Sequence, residues 1–231
     1  MVVPVECNLI DCMGSDLTVV NAARVSFAKQ SEYEEIEAGW EEGGIVTHLR
    51  LAEKDRKLIN YLAKHGHWSP FAHCFMQFHI KAPLFVARQL VKHQVGLTWN
   101  EVSRRYVNDE PEFHTPLSWR QKPENSKQGS SGQAAEQLLP TKYLEEVSAI
   151  AKEAYQKMID LGVAPEQARM VLPQNMMTEW YWSGSLHAFA RVCKQRTDPH
   201  SQEETSEIAE MILDEMHNCF PCSADALMSL P

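Results

Sequence analysis

Residues 74–94 read CFMQFHIKAPLFVARQLVKHQ. Across Cys74–Ile80 the apolar residues alternate: Cys74, Met76, Phe78 and Ile80 point one way, Phe75, Gln77 and His79 the other. That period of two marks a strand buried on one face. Pro83 then opens a helix at its first position, with Leu84, Phe85, Leu90 and Val91 as the apolar stripe. A one-faced strand needs other elements to cover it, and the rest of the chain supplies helices. Ser15 caps a helix through LTVVNAAR, and Asp16 favours its positive end. AEKDRKLINYLAKHG sets Leu58, Ile59 and Leu62 on one stripe and ends at Gly66. Tyr143–Leu161 keeps helical spacing and stops before Gly162. Pro165 opens a short helix bearing Arg169, and Pro173 breaks it. MMTEWYWSG is an aromatic-rich extended segment. Ser185 caps a helix through LHAFARVCKQR, and Ser201 with Glu204 reads as a capping box for the last helix. Helix dominates, strands are few and pair antiparallel, so the expected class is α+β.

The 231 residues carry a formal net charge of −9, which argues against non-specific nucleic-acid binding but leaves room for a small anion in a local basic pocket. The start, MVVPVECNLIDCMGSD, lacks a basic leader region, and no apolar run approaches membrane-spanning length. The expectation is a cytoplasmic protein with its six cysteines reduced. Cys219 and Cys222 form a lone C-x-x-C, read as a buried thiol pair. RQKPENSKQGSSGQAAEQ, residues 120–137, is low in complexity and reads as a surface loop within one domain spanning residues 1–231.

Against this acidic background, residues 86–107, VARQLVKHQVGLTWNEVSRRYV, concentrate cations and amides. Arg88 and Lys92 are four apart, as are Gln89 and His93, so a continuing helix projects them from neighbouring rows. Asn100, Glu101, Ser103, Arg104 and Arg105 follow in a loop. Guanidinium pairs with phosphate, and Gln or Asn amides match the imide edge of a pyrimidine. A solvated helix face with a charged loop explains the same composition. Arg169, His187, Arg191 and Arg196 form a second polar group, in which Arg196 also has an ordinary role at a helix C-terminus.

Taken together, DCMGSDLTVVNAARVSF, HGHWSPFAH, KAPLFVARQ with NEVSRRY, ARMVLPQNMMTEWYW and QRTDPHSQEE closely resemble, in order, segments of the flavin-dependent thymidylate synthases. The resemblance implies a small antiparallel sheet flanked by helices and a homotetramer with active sites between subunits. It implies dUMP as substrate, methylenetetrahydrofolate and NADPH as co-substrates, and FAD as cofactor. On the matching positions, Gln89, Lys92, Ser103, Arg104, Arg105 and Arg169 would hold dUMP, with Glu101 between nucleotide and flavin. Arg196 would stabilise charge at the uracil N3–O4 edge. Ser69, Lys92, His93, Gln94, Ser185, His187 and Arg191 would face the flavin, with His67, Asn100 and Trp99 lining the site.

The sequence also departs from the family. Its Arg-His-Arg triplet is here Lys92-His93-Gln94, and the spacer to Ser103 is one residue longer. Its Asn-x-Arg is Ser185-Leu186-His187, and a later Asn is Arg191. These replacements fall on flavin positions and leave the nucleotide positions largely intact, Lys92 being counted in both sets. The expectation is a rebuilt flavin pocket. Two alternatives follow from the same departures: a folate-dependent C5-hydroxymethylase with weak or no flavin use, and an inactive nucleotide-binding homologue. His65, His67, His73 and His79 lack metal-site spacing. Trp180, Tyr181 and Trp182 read as core or interface, and Trp99 as a ring that could stack on flavin or folate.

Overall fold

The computed structural model describes residues 3–41, 44–107, 109–124 and 129–229. Its centre is a four-stranded antiparallel sheet of β1 (Glu6–Met13), β4 (Phe75–Pro83), β8 (Met177–Ser185) and β5 (Leu97–Glu101), in that order. β2 (Glu34–Glu41) and β3 (Gly44–Arg50) form a separate hairpin, and β6 (Arg120–Gln121) and β7 (Ser131–Gln133) a short one inside the expected surface loop. Residues 125–128 of that loop lie outside the described residues. The helices are α1 (Asp16–Arg24), α2 (Glu53–Lys64), α3 (Leu84–Leu90), α4 (Leu138–Asp160), α5 (Pro165–Ala168), α6 (Leu186–Arg196), α7 (Glu203–Cys219) and α8 (Pro221–Met228). The α+β expectation and its small antiparallel sheet hold. Among the described residues no helix is long and apolar enough to cross a membrane.

The alternation in β4 reads out as expected. Met76, Phe78, Ile80 and Ala82 are buried, while Phe75, Gln77, His79 and Lys81 face the other side. Trp180 and Trp182 of β8 join the buried face, where Phe189 of α6 meets Phe78 and Trp182 edge-on at 5.1 and 5.3 Å. On the outer face Gln77 donates to the Ser183 hydroxyl at 2.9 Å, and His79 contacts Glu179 at 3.1 Å. α1, α2, α3, α6, α7 and α8 contribute most of the remaining core side chains, joined by Val5, Leu51 and Phe71 from the connections.

Chain ends are tied together by one carboxylate. Ser15 takes the N-cap position of α1, as expected. Asp16, however, does more than favour the positive end of α1. It is buried and accepts from the Cys222 and Ser223 amides at 2.9 Å each and from the Ser223 hydroxyl at 2.6 Å, so it caps α8.

Four local expectations are corrected. Pro83 ends β4, paired with Met177, and serves as the N-cap of α3 rather than its first residue. The free amides of Leu84 and Phe85 donate to the Met176 and Gln174 carbonyls, which fixes the start there. α3 also ends at Leu90, so Lys92 and His93 sit in a turn and the Gln89–His93 ladder does not form. Asn100 and Glu101, expected in a loop, instead end strand β5, which lies so close to β8 that a Cβ on Gly184 would lie 2.5 Å from the Gly96 carbonyl oxygen, while Ser103, Arg104 and Arg105 do follow outside the sheet. Finally, Gln202 rather than Ser201 is the N-cap of α7. The Ser201 hydroxyl donates to the Gln195 carbonyl and Glu204 is held by Arg120, so no capping box forms.

Candidate active site

Arg196 is the last residue of α6, and the turn after α3 passes beside it. Its Nε–H donates to Nε2 of His93 at 2.9 Å, and an Nη2–H reaches the backbone carbonyl of Gln89 at 3.4 Å. A guanidinium has only donors, so His93 must accept through Nε2 and carry its proton on Nδ1. Burial first, then the charges of Arg196 and Arg191, lower the His93 pKa and favour this neutral form. Burial also lowers the pKa of Arg196, which remains a cation at neutral pH. Both cation and imidazole are therefore preset. Arg196 and Gln89 open onto a polar cleft of about 520 Å³, shared with Lys194, Asp198, His200 and Gln202.

A second, smaller slot of about 100 Å³ gathers two residues expected on the flavin side, His187 and Arg191, with His67, expected to line the site. Its floor is apolar, from Leu62, Phe71, Ala190 and Leu227, with Trp68 and Lys194 at the walls. Lys194 lines both cavities. Nδ1 of His187 is buried with no partner among the described residues, and its pKa is lowered by burial and then by Arg191 and Lys194. An apolar floor, an unspent ring nitrogen and two cations fit the edge of a flat, phosphate-bearing cofactor such as FAD. Ser185 is committed elsewhere: its hydroxyl accepts from the Ala188 amide and caps α6. Ser69 is exposed at the start of the turn Pro70–His73, and Lys92 and Gln94 are exposed in the turn after α3.

The remaining nucleotide positions are not brought into the Arg196 cleft within one chain. β5 runs antiparallel to β8, from a register opposite Gly184 to one opposite Trp180, and so carries Glu101 away from the end of β8 that leads into α6. Glu101 accepts from Thr178 at 2.9 Å and from the Trp99 indole at 3.2 Å. Asn100 is exposed on β5. Ser103 accepts from the Arg105 amide at 3.3 Å, Arg105 lies over the Tyr106 ring at 4.9 Å, and Arg104 pairs with Asp109. Arg169 is exposed in the turn after α5, where its Nε–H donates to the Glu166 carbonyl at 3.3 Å. Trp99 stacks on Trp180 at 4.4 Å, which engages one ring face inside the chain.

Several cleft and slot residues went unassigned at the sequence level: Trp68, Lys194, Asp198, His200 and Gln202. The signal for the last three was the run TDPHSQEE, residues 197–204, polar but for Pro199, directly after Arg196.

A neutral imidazole that aims a guanidinium into a polar cleft, beside an apolar slot walled by cations, defines an enzyme that works on an anionic, planar substrate with a bound planar cofactor. The chain belongs to the thymidylate synthase complementing protein family, Thy1, whose model matches residues 8–222. It is 37% identical to the flavin-dependent thymidylate synthase of Thermotoga neapolitana over 207 residues, 88% of this chain and 82% of that relative. It is 34% identical to the Kosmotoga olearia enzyme of the same name over 223 residues, 96% of this chain and 89% of that one. Among solved structures it superposes on the UMP/dUMP methylase PolB from Streptomyces cacaoi, bound with 5-Br dUMP, with a TM-score of 0.82 and 28% identity. That match covers 99% of this chain and 97% of the other.

Proposed function

We propose that this chain catalyses the reductive methylation of dUMP to dTMP, with methylenetetrahydrofolate as carbon donor. FAD, when bound, supplies the hydride, and NADPH restores it. The observation that carries the reading is the Arg196 guanidinium held by His93 and the Gln89 carbonyl at the mouth of a nucleotide-sized cleft. Carbon 5 of uracil becomes nucleophilic only when negative charge can gather at the N3–O4 edge. A fixed cation there stabilises that charge without having to reorganise, and in many enzymes such preset electrostatics lower the barrier more than any other effect. His93 prevents the side chain from swinging away. The thiols of half-buried Cys7 and of buried Cys74 and Cys193 have pKa values raised by burial, to about 12 for the first two, and are unsuited to attack carbon 6.

His187, Arg191 and Lys194 would hold FAD above the floor of Leu62 and Phe71, with His67 and Trp68 at its edge. Arg191 and His187 stand where the family carries an asparagine and an arginine, so the pocket is rebuilt with its cationic character kept. Glu101, Ser103, Arg104, Arg105 and Arg169 complete the nucleotide site from other subunits of a homotetramer, since one chain leaves them outside the cleft. The enzyme works in the cytoplasm, as a single domain, with nucleotide and folate as its partners.

The test is spectroscopic. The purified protein reconstituted with FAD is expected to show a flavin spectrum that NADPH bleaches and that dUMP with methylenetetrahydrofolate restores. A protein that never retains flavin, yet releases the C5 hydrogen of dUMP, would favour the hydroxymethylase. Mixing Arg196→Ala with Arg105→Ala protein tests the shared site: hybrid tetramers are expected to regain activity, and a mixture as dead as its parts would refute it.

A further inference from the structure

Gln89 is one end of a chain of hydrogen bonds that runs out of the cleft. Its Nε2–H donates to Oε1 of Gln202 at 2.6 Å, and Nε2–H of Gln202 donates to Oε2 of Glu204 at 2.9 Å. Glu204 is buried and clasped by Nη2 of Arg120, 2.8 Å from each carboxylate oxygen, while Nη1 of Arg120 binds Glu203 at 2.7 Å. Burial alone would raise the Glu204 pKa. The hydrogen bonds and charge of Arg120, with Gln202, overcome it and lower the pKa, so the group is a carboxylate.

An ionised carboxylate only accepts. Gln202 must therefore turn its amide nitrogen toward Glu204 and its oxygen toward Gln89. Gln89 in turn must give its nitrogen to Gln202, which leaves its oxygen on the opposite side. One buried charge thus sets the polarity of two amides in series.

We propose that Arg120, Glu204 and Gln202 are positioning residues that hold the side-chain oxygen Oε1 of Gln89 toward the pyrimidine, and so select a base with a hydrogen on N3, uracil, over one with a bare N3, cytosine. The inference rests on the reading of the Arg196 cleft as the nucleotide site. Uracil offers an N3–H donor that Oε1 of Gln89 accepts. Cytosine offers a lone pair there, which would leave two acceptors facing each other. Arg120, at the start of the loop expected to be mere surface, acquires a role through this chain: it keeps Glu204 charged and in place.

The experiment is calorimetric titration of FAD-loaded protein with dUMP and with dCMP. Wild type is expected to favour dUMP. Gln202→Leu frees the Gln89 amide to rotate, and the dUMP-to-dCMP affinity ratio is expected to fall about tenfold, the worth of one net hydrogen bond. Glu204→Gln, which has the same shape and removes the acceptor-only end, is expected to lower the ratio too. Arg120→Lys keeps the charge beside Glu204 and is expected to preserve most of it. A merely structural role would weaken both nucleotides equally. An unchanged ratio in both Gln202→Leu and Glu204→Gln, with melting temperatures near wild type, would overturn the proposal. Wild type that binds neither nucleotide would instead remove the reading of the cleft, and the proposal with it.

Discussion

Asp16→Ala should unfasten the two ends of the chain. The carboxylate receives three hydrogen bonds from α8, two of them from Ser223, which is fully buried. Removing it leaves the Ser223 amide and hydroxyl without acceptors, while water can reach the half-buried Cys222 amide. A buried donor left unsatisfied costs about 1–3 kcal/mol, so two of them cost about 4 kcal/mol. For a chain of 231 residues, at ~2.1 cal/mol/K per residue, that lowers the melting temperature by about 8 °C. Asp16→Asn retains one oxygen for Ser223 and should lose about half as much. Differential scanning calorimetry measures both. Leu227 of α8 also floors the slot beside Arg191, so flavin affinity should fall in Asp16→Ala and hold in Asp16→Asn. An alanine variant that melts within about 2 °C of wild type, a quarter of the expected shift, would refute the argument that this carboxylate fastens α8.

Gly184→Ala would set a methyl group 2.5 Å from both the Gly96 carbonyl oxygen and the Leu97 side chain. It should part β5 from β8 at a cost of about 3 kcal/mol, read as a lower urea midpoint and as weakened dUMP binding. Arg196→Lys keeps a charge but loses the Nε–H to His93 and the planar fork, and turnover should fall at least about 100-fold with flavin content unchanged. His93 favours its neutral form in the fold, so its folded pKa lies below the ordinary 6.5. Its contribution to stability is complete above pH 6.5 and is lost as pH falls from there through the lowered folded value. The Arg196 contact breaks in the same window, so dUMP affinity should be flat above pH 6.5 and decline below it. Imidazole resonances followed by NMR give the pKa directly.

Much of the framework was legible because it rests on short-range rules. The alternation of Met76, Phe78 and Ile80 requires one buried face, and Gly162 stops α4 as a left-handed residue should. β5 was not legible. LTWNE has no long apolar alternation, and its place at the sheet edge depends on Gly184, far along the chain, which lets the backbones approach. The hairpin of β2 and β3 was legible and passed over: Ile36, Ala38 and Trp40 alternate with polar residues, and Gly43-Gly44 precedes the β-branched run Ile45-Val46-Thr47. Arg196 was visible through its resemblance to a family position, whereas its orientation by His93 depends on α3 stopping short at Leu90. The Glu204 pair with Arg120 was hidden behind a plausible capping motif, because a long-range ion pair leaves no periodic trace in the chain.

The most direct measurement is the mass of the nucleotide formed when purified protein is incubated with dUMP, methylenetetrahydrofolate, FAD and NADPH. A product heavier than dUMP by one methylene unit, identical to dTMP and absent with Arg196→Ala, is the expected result. A product carrying an additional oxygen, or dUMP recovered unchanged while flavin is bound, would contradict the account.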